Sequence, residues 1–107
     1  ENIQESLPLP AEFTGNGDLF MLRVRGESMV DAGILDGDHV VVRVQRTAEP
    51  GDLVVAGIPG DEGTVKYFGR DGNTVVLSPA NPAYSELRHP DDEVTIFGLV
   101  VTVLRRI

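Results

Sequence analysis

Leu53-Val54-Val55-Ala56-Gly57-Ile58, then Thr64-Val65-Lys66-Tyr67-Phe68, then Thr74-Val75-Val76-Leu77 are the three runs whose reading decides the fold. Each is short and dominated by β-branched, aliphatic or aromatic side chains. Gly57–Gly63 and Gly69-Arg70-Asp71-Gly72 separate them with the residues that hairpin turns demand. None of the runs sustains a helical period over ten residues, so the spacing predicts consecutive strands.

The same pattern extends in both directions. Strands are expected at Leu19–Arg25 and His39–Val44 upstream, and from Val94 or Thr95 to Arg105 downstream. Ser78 to Pro90 contains three prolines and reads as a surface loop, followed by the short acidic run Asp91-Asp92-Glu93, a solvated loop. Residues 1–18 form an irregular lead-in, because Leu7-Pro8-Leu9-Pro10 cannot be helix interior and Thr14-Gly15-Asn16-Gly17 is turn chemistry. One stretch breaks the β pattern. Ser28-Met29-Val30-Asp31-Ala32-Gly33 offers an N-cap serine, one or two helical turns and a glycine stop, and Asp36-Gly37-Asp38 turns the chain onward. The expected fold is mostly β: compact, strongly twisted or partly closed antiparallel sheets with one short helical turn.

Composition bounds the function. A chain of 107 residues suits one domain, here residues 19–107 after the lead-in. No apolar run approaches the roughly 18 residues that a membrane helix needs, so no membrane role is expected. The absence of cysteine removes disulfides, zinc thiolates and cysteine nucleophiles together. Seventeen acidic against nine basic side chains give a net charge of −8, a sign that repels phosphate backbones. The chain alone should not bind DNA well.

Candidate chemistry narrows quickly. His39 and His89 have no partner at metal-ligand spacing, and no glutamate completes a calcium loop after Asp36-Gly37-Asp38, so no metal site is expected. No glycine-rich piece ends in the Lys-Ser/Thr of a phosphate loop. Of the four serines, Ser28 alone sits between a strand and a helical turn, beside backbone N–H groups that could hold an oxyanion. A serine at a helix start is commonly only a cap. A serine nucleophile also needs a base, and the chain has one lysine, Lys66, against eight arginines. Strand alternation puts Thr64, Lys66 and Phe68 on one face. Dehydration there would lower the lysine pKa, and Thr64 could aim the amine. An exposed edge-strand lysine is the commoner arrangement.

Leu22-Arg23-Val24-Arg25-Gly26-Glu27-Ser28-Met29, with Asp31, Gly33, Ile34 and Asp36-Gly37-Asp38, resembles the serine segment of LexA repressors. Gly51-Asp52-Leu53-Val54-Val55-Ala56 and Thr64-Val65-Lys66 resemble the lysine segment, and Ser78–Tyr84 and Phe97-Gly98-Leu99-Val100-Val101 the tail. The similarity covers most of residues 19–107, and the lead-in looks most like actinobacterial members. The resemblance implies a cytoplasmic C-terminal self-cleavage and dimerisation domain that needs no cofactor. Ser28 would be the nucleophile and Lys66 the neutral general base. Backbone N–H groups of Glu27 and Ser28 would form the oxyanion hole, and Thr64 would support Lys66. The implied partners are a second copy of the chain and the RecA filament on single-stranded DNA. Operator DNA would be bound only through an N-terminal domain that nothing here resembles. The family's scissile Ala-Gly bond is expected upstream of Glu1, with Ala32-Gly33 and Ala56-Gly57 structural.

Two other readings stay open at this point. The closing strand carries Ile96, Leu99, Val101 and Val103, enough apolar surface to pair across a two-fold axis, so the domain could be a dimerisation module without activity in this form. A UmuD-type polymerase accessory domain would share the serine, the lysine and the Asn81-Pro82-Ala83-Tyr84 stretch. A signal peptidase would need a membrane anchor, and none shows.

Overall fold

The computed structural model describes Glu12 and residues 17–107. The lead-in expected over residues 1–18 therefore lies, apart from Glu12, Gly17 and Asp18, outside the described residues. Seven strands form one antiparallel sheet: β1 (Leu19–Arg23), β2 (His39–Val44), β3 (Leu53–Ile58), β4 (Glu62–Asp71), β5 (Thr74–Ser78), β6 (Leu87–Pro90) and β7 (Thr95–Leu104). Their order across the sheet is β1-β2-β7-β3-β4-β5-β6. The closing strand is thus central, inserted between β2 and β3.

β3 explains how a single sheet can enclose a core. Alternation sends Val54 and Ala56 to one face, where they pack with Phe68, Val75, Leu77 and Ile96. Val55 points the other way and packs with Met29, Ile34, Val40 and Val42. A strand buried on both faces cannot alternate apolar with polar, which is why Leu53-Val54-Val55-Ala56 reads as a continuous apolar run. The sheet coils so that both faces are covered. β7 follows this with two irregularities in register, beside Val55/Ala56 of β3 and beside Val41/Val42 of β2, and bulges of this kind bend a strand and increase its twist.

Four expectations need correction. The β4–β5 turn is not Gly69-Arg70-Asp71-Gly72: the ladder continues to Asp71 opposite Thr74, and the turn is Gly72-Asn73, with Gly72 at φ 60°. That geometry suits a two-residue hairpin. Ser78–Pro90 is not all loop, since Leu87–Pro90 pairs with Thr74–Leu77. Proline is tolerated there because β6 is the sheet edge and Pro90 is its last residue. The acidic run Asp91–Glu93 is a second 3-10 turn, its Asp91 accepting a hydrogen bond from Arg70. Finally, β1 ends at Arg23, although the Val24 N–H still bonds to the Asp38 carbonyl.

Ala32-Gly33 and Ala56-Gly57 both lie within folded structure. Gly33 closes the first 3-10 turn in the left-handed conformation, and Ala56 is wholly buried in β3. Gly57 lies beneath the ring of Phe97.

At Gly98 the backbone of β7 lies tightly against β2. A Cβ there would meet the Val42 Cγ1 atom at 2.7 Å and would collide with the Arg43 carbonyl oxygen. Backbone cannot yield as a flexible side chain can. Gly98→Ala should therefore cost about 1–3 kcal/mol by overpacking. Urea unfolding checks this, and an unchanged midpoint would contradict the close approach.

Candidate active site

The first 3-10 turn covers only Val30–Ala32, and its N-cap is Met29 with no side-chain cap. Ser28 is therefore not the cap that its sequence position suggested. The reason is that its turn is held from elsewhere. The Asp31 N–H donates to the Ala80 carbonyl, and the Ala80 N–H donates to the Ser28 carbonyl, each at 2.8 Å. The segment after β5 thus satisfies the groups that a cap would have served, leaving the Ser28 hydroxyl for another partner.

That partner is Lys66. Its Nζ lies 3.0 Å from Ser28 Oγ, 2.6 Å from Thr64 Oγ1 and 3.1 Å from the Val65 carbonyl oxygen. Thr64 and Lys66 share a face of β4, as their spacing requires. Lys66 is one of two buried charged residues in the described structure, 7% exposed, and burial pushes its pKa down from the ordinary lysine value while the nearby Glu62 carboxylate opposes that shift. Three oxygens surround the amine, and this number has a chemical meaning. A neutral amine can donate to Thr64 and to the Val65 carbonyl while its lone pair accepts the Ser28 hydroxyl proton. After proton transfer, the ammonium has an oxygen for each of its three hydrogens. The arrangement suits both sides of a proton transfer from serine to lysine.

The serine corner is clamped on several sides. Gly26, at φ 81°, donates its N–H to Asp36. Asn81 Nδ2 donates to the Glu27 carbonyl at 2.8 Å. Further along, buried Asp38 receives Arg105 through both carboxylate oxygens, at 2.7 and 2.8 Å, and also accepts the Leu35 N–H. Arg105 donates as well to the Gly33 carbonyl. The guanidinium, foremost through its hydrogen bond, holds the Asp38 carboxyl below the usual carboxylate range. Asp38 and Asn81 entered the sequence reading only as members of the segments Asp36-Gly37-Asp38 and Ser78–Tyr84, and Arg105 only as the end of the closing strand, with no role given to any of them.

A groove of about 430 Å³ opens in front of the pair, between Leu22–Arg25 on one side and Asp61–Lys66 on the other. A larger, more apolar cleft of about 630 Å³ adjoins it, sharing Leu22, Val55, Asp61, Glu62 and Gly63, but reaches neither Ser28 nor Lys66. Ser28 and Lys66 both line the smaller groove. β4 is paired with β3 from Glu62 to Tyr67, whereas its pairing with β5 begins only at Tyr67.

Of the dimer candidates, Ile96 is turned into the core and Leu99 packs against the same cluster. Val101 is half-buried, and Val103 is exposed, as is Phe97 on the same strand.

These features define a hydrolase-like site built on a serine and a buried lysine. The profile of the Peptidase S24-like family matches residues 1–101, and the chain belongs to that family. It is 54% identical over 107 residues to LexA repressor 1 of Nocardia farcinica, covering 100% of this chain and 48% of that protein. It is 54% identical over 105 residues to the LexA repressor of Acidothermus cellulolyticus, covering 98% of this chain and 37% of that protein. With the LexA repressor of Mycobacterium tuberculosis it shares 50% identity over 107 residues, 44% of that protein. The chain spans less than half the length of these curated relatives.

Two outcomes follow from the electrostatics of Lys66. Its lowered pKa means that the folded chain resists protonation more than the unfolded chain does. The site is therefore free of cost above the ordinary lysine pKa near 10.5; the cost grows as the pH falls from there to the lowered value and is constant below it. Lys66→Met should raise the melting temperature at pH 7, with the gain shrinking toward pH 10.5. Equal melting temperatures at both pH values would deny the burial cost. Because the Glu62 carboxylate favours the ammonium, Glu62→Gln should move the pH midpoint of any Lys66-dependent reaction downward. An upward shift would contradict that assignment.

Proposed function

We propose that this chain is the self-cleavage and dimerisation domain of a LexA-type repressor, a cytoplasmic serine peptidase with a Ser-Lys dyad. The observation that carries the reading is Lys66 Nζ at 3.0 Å from Ser28 Oγ, across 38 positions of sequence, with the lysine buried. Its membership of the Peptidase S24-like family and its identity with LexA repressors agree with this.

The geometry supports a Ser-Lys mechanism. An extended segment carrying the scissile Ala-Gly bond enters the groove, where the backbone of β4 over Glu62–Lys66 has β3 on one side only and can take a strand on the other. Neutral Lys66 accepts the Ser28 hydroxyl proton as the oxygen attacks the alanine carbonyl. Backbone N–H groups of Glu27 and Ser28 hold the oxyanion. Thr64 Oγ1 and the Val65 carbonyl orient the amine during this step. The ammonium then passes its proton to the leaving glycine nitrogen, the C–N bond breaks, and water hydrolyses the acyl-serine. No cofactor is required.

In the intact repressor, cleavage would separate this domain from an N-terminal operator-binding domain and derepress DNA-damage genes, with the RecA filament on single-stranded DNA as the stimulating partner. Dimerisation would run through β7, whose pairing with β3 ends at Leu99 while pairing with β2 continues to Leu104. Val101 and exposed Val103 lie in that last stretch.

The test is cleavage in trans. The chain is mixed with a full-length LexA repressor of a relative whose own nucleophilic serine is alanine, from pH 7 to pH 10. Cleavage should rise with pH and disappear with Ser28→Ala and with Lys66→Ala near neutrality, a loss of at least about 10³-fold for the nucleophile. A fully active, folded Lys66→Ala variant would defeat the dyad.

A further inference from the structure

Asn81 sits outside the groove, yet one of its hydrogen bonds decides which way the Glu27–Ser28 peptide faces. Its side-chain amide has both ends fixed. Nδ2 donates to the Glu27 carbonyl oxygen at 2.8 Å, and Oδ1 accepts the Ala83 N–H at 2.9 Å. A carbonyl can only accept and a backbone N–H can only donate, so the amide cannot be turned over without losing both bonds. The Tyr84 N–H returns to the Asn81 carbonyl at 3.0 Å, closing the turn that presents the side chain.

The consequence comes from the planarity of the peptide. The described chain has no cis peptide bonds, so the N–H of a peptide points opposite to its C=O. Holding the Glu27 carbonyl toward Asn81 therefore aims the Ser28 N–H away from Asn81. The next peptide is held in the same sense, because the Ser28 carbonyl accepts the Ala80 N–H at 2.8 Å. Ser28 and Met29 line the groove, whereas Ala80 and Asn81 do not. Both carbonyls are thus bonded to residues that do not line the groove, and the Ser28 N–H, opposite the first of them, is directed away from Asn81.

We propose that Asn81 is a positioning residue for cleavage, holding the Ser28 N–H in the orientation that receives the oxyanion. This rests on the reading of Ser28 as nucleophile. Asn81 touches no reacting atom. Its work is to keep a peptide from rotating, since that corner follows Gly26 at φ 81° and contains no regular helix or strand to fix it. A donor that is already aligned costs no reorganisation when charge develops on the substrate oxygen.

Asn81→Asp separates this role from the turn itself. The aspartate keeps the acceptor for the Ala83 N–H and nearly the same volume, but at pH 8 and above it has no proton to donate and sets a carboxylate against the Glu27 carbonyl. In the trans-cleavage assay, Asn81→Asp should lower kcat by about tenfold to hundredfold, less than or equal to the loss of one oxyanion donor. KM should not change, and the pH midpoint should stay where Lys66 sets it. Simple loosening of the site would move the midpoint or KM instead. Wild-type kcat in Asn81→Asp, or a loss confined to KM or to the pH midpoint, overturns the proposal. The unmutated chain supplies a second arm that does not depend on activity or on the variant folding: a crystal structure must place Asn81 Nδ2 within hydrogen-bond reach of the Glu27 oxygen, and a larger separation overturns the proposal. If the unmutated chain does not cleave, or Ser28→Ala still cleaves, the Ser-Lys reading falls and takes this role with it. If both behave as a dyad requires and Asn81→Asp alone is silent, only the role of Asn81 falls.

Discussion

A lysine buried beside a serine hydroxyl is the constraint around which this fold is organised. An ammonium removed from water is costly, and the chain lowers that cost with neutral dipoles instead of a partner carboxylate. Thr64, Val65 and Ser28 supply three oxygens and no full negative charge in contact. A carboxylate at hydrogen-bond distance would have stabilised the fold more, but it would have fixed the proton on the lysine. Glu62 shows the intermediate case, close enough to favour the ammonium yet not bonded to it. The site therefore keeps an amine that can lose its proton, and the price is stability near neutral pH.

Such an arrangement requires its two members to be held by different elements. Lys66 is carried by β4, fixed from below by the ladder to β3, with Val54 directly opposite in the register. Ser28 sits on a corner with almost no regular structure, so side chains must do what a ladder does elsewhere. Met29 and Ile34, 2% and 1% exposed, anchor the corner into the second core cluster. Asp36, Asn81 and the backbone of Ala80 then fix its peptides from outside. Apolar burial sets the position of the serine, and polar contacts set its orientation.

This division explains what the sequence disclosed. Strands were legible because periodicity and turn residues are local: β2 and β3 fell where Val-rich runs placed them. Lys66 stood out because it is the single lysine of the chain, on a strand face shared with Phe68, and Ser28 because its surroundings matched an ordered family pattern. β6 was hidden by prolines that usually break a ladder and are harmless at its edge. Ser28 looked like a helix cap because the competing acceptor, the Ala80 carbonyl, is more than fifty positions away. Asp38, Asn81 and Arg105 were illegible for the same reason. Each acts through one long-range contact, and a polar residue in a turn looks alike whether it faces water or a distant carbonyl.

The Asp38–Arg105 contact also ties the closing strand to the serine corner. Arg105 immediately follows β7, the strand whose apolar residues are the candidates for pairing two copies. Asp38 belongs to the loop that leaves the serine corner, and Arg105 reaches the Gly33 carbonyl in the same loop. The C-terminal strand and the serine corner are thus one mechanical unit. Its two charges also behave differently from that of Lys66. Arg105, mainly through its hydrogen bond to Asp38, stays protonated to higher pH than an ordinary arginine, while Asp38 stays ionised to lower pH than an ordinary carboxylate. Both charges persist across the whole range in which a dehydrated lysine changes its own. The loop that positions Ser28 can therefore remain in place while Lys66 gains and loses its proton.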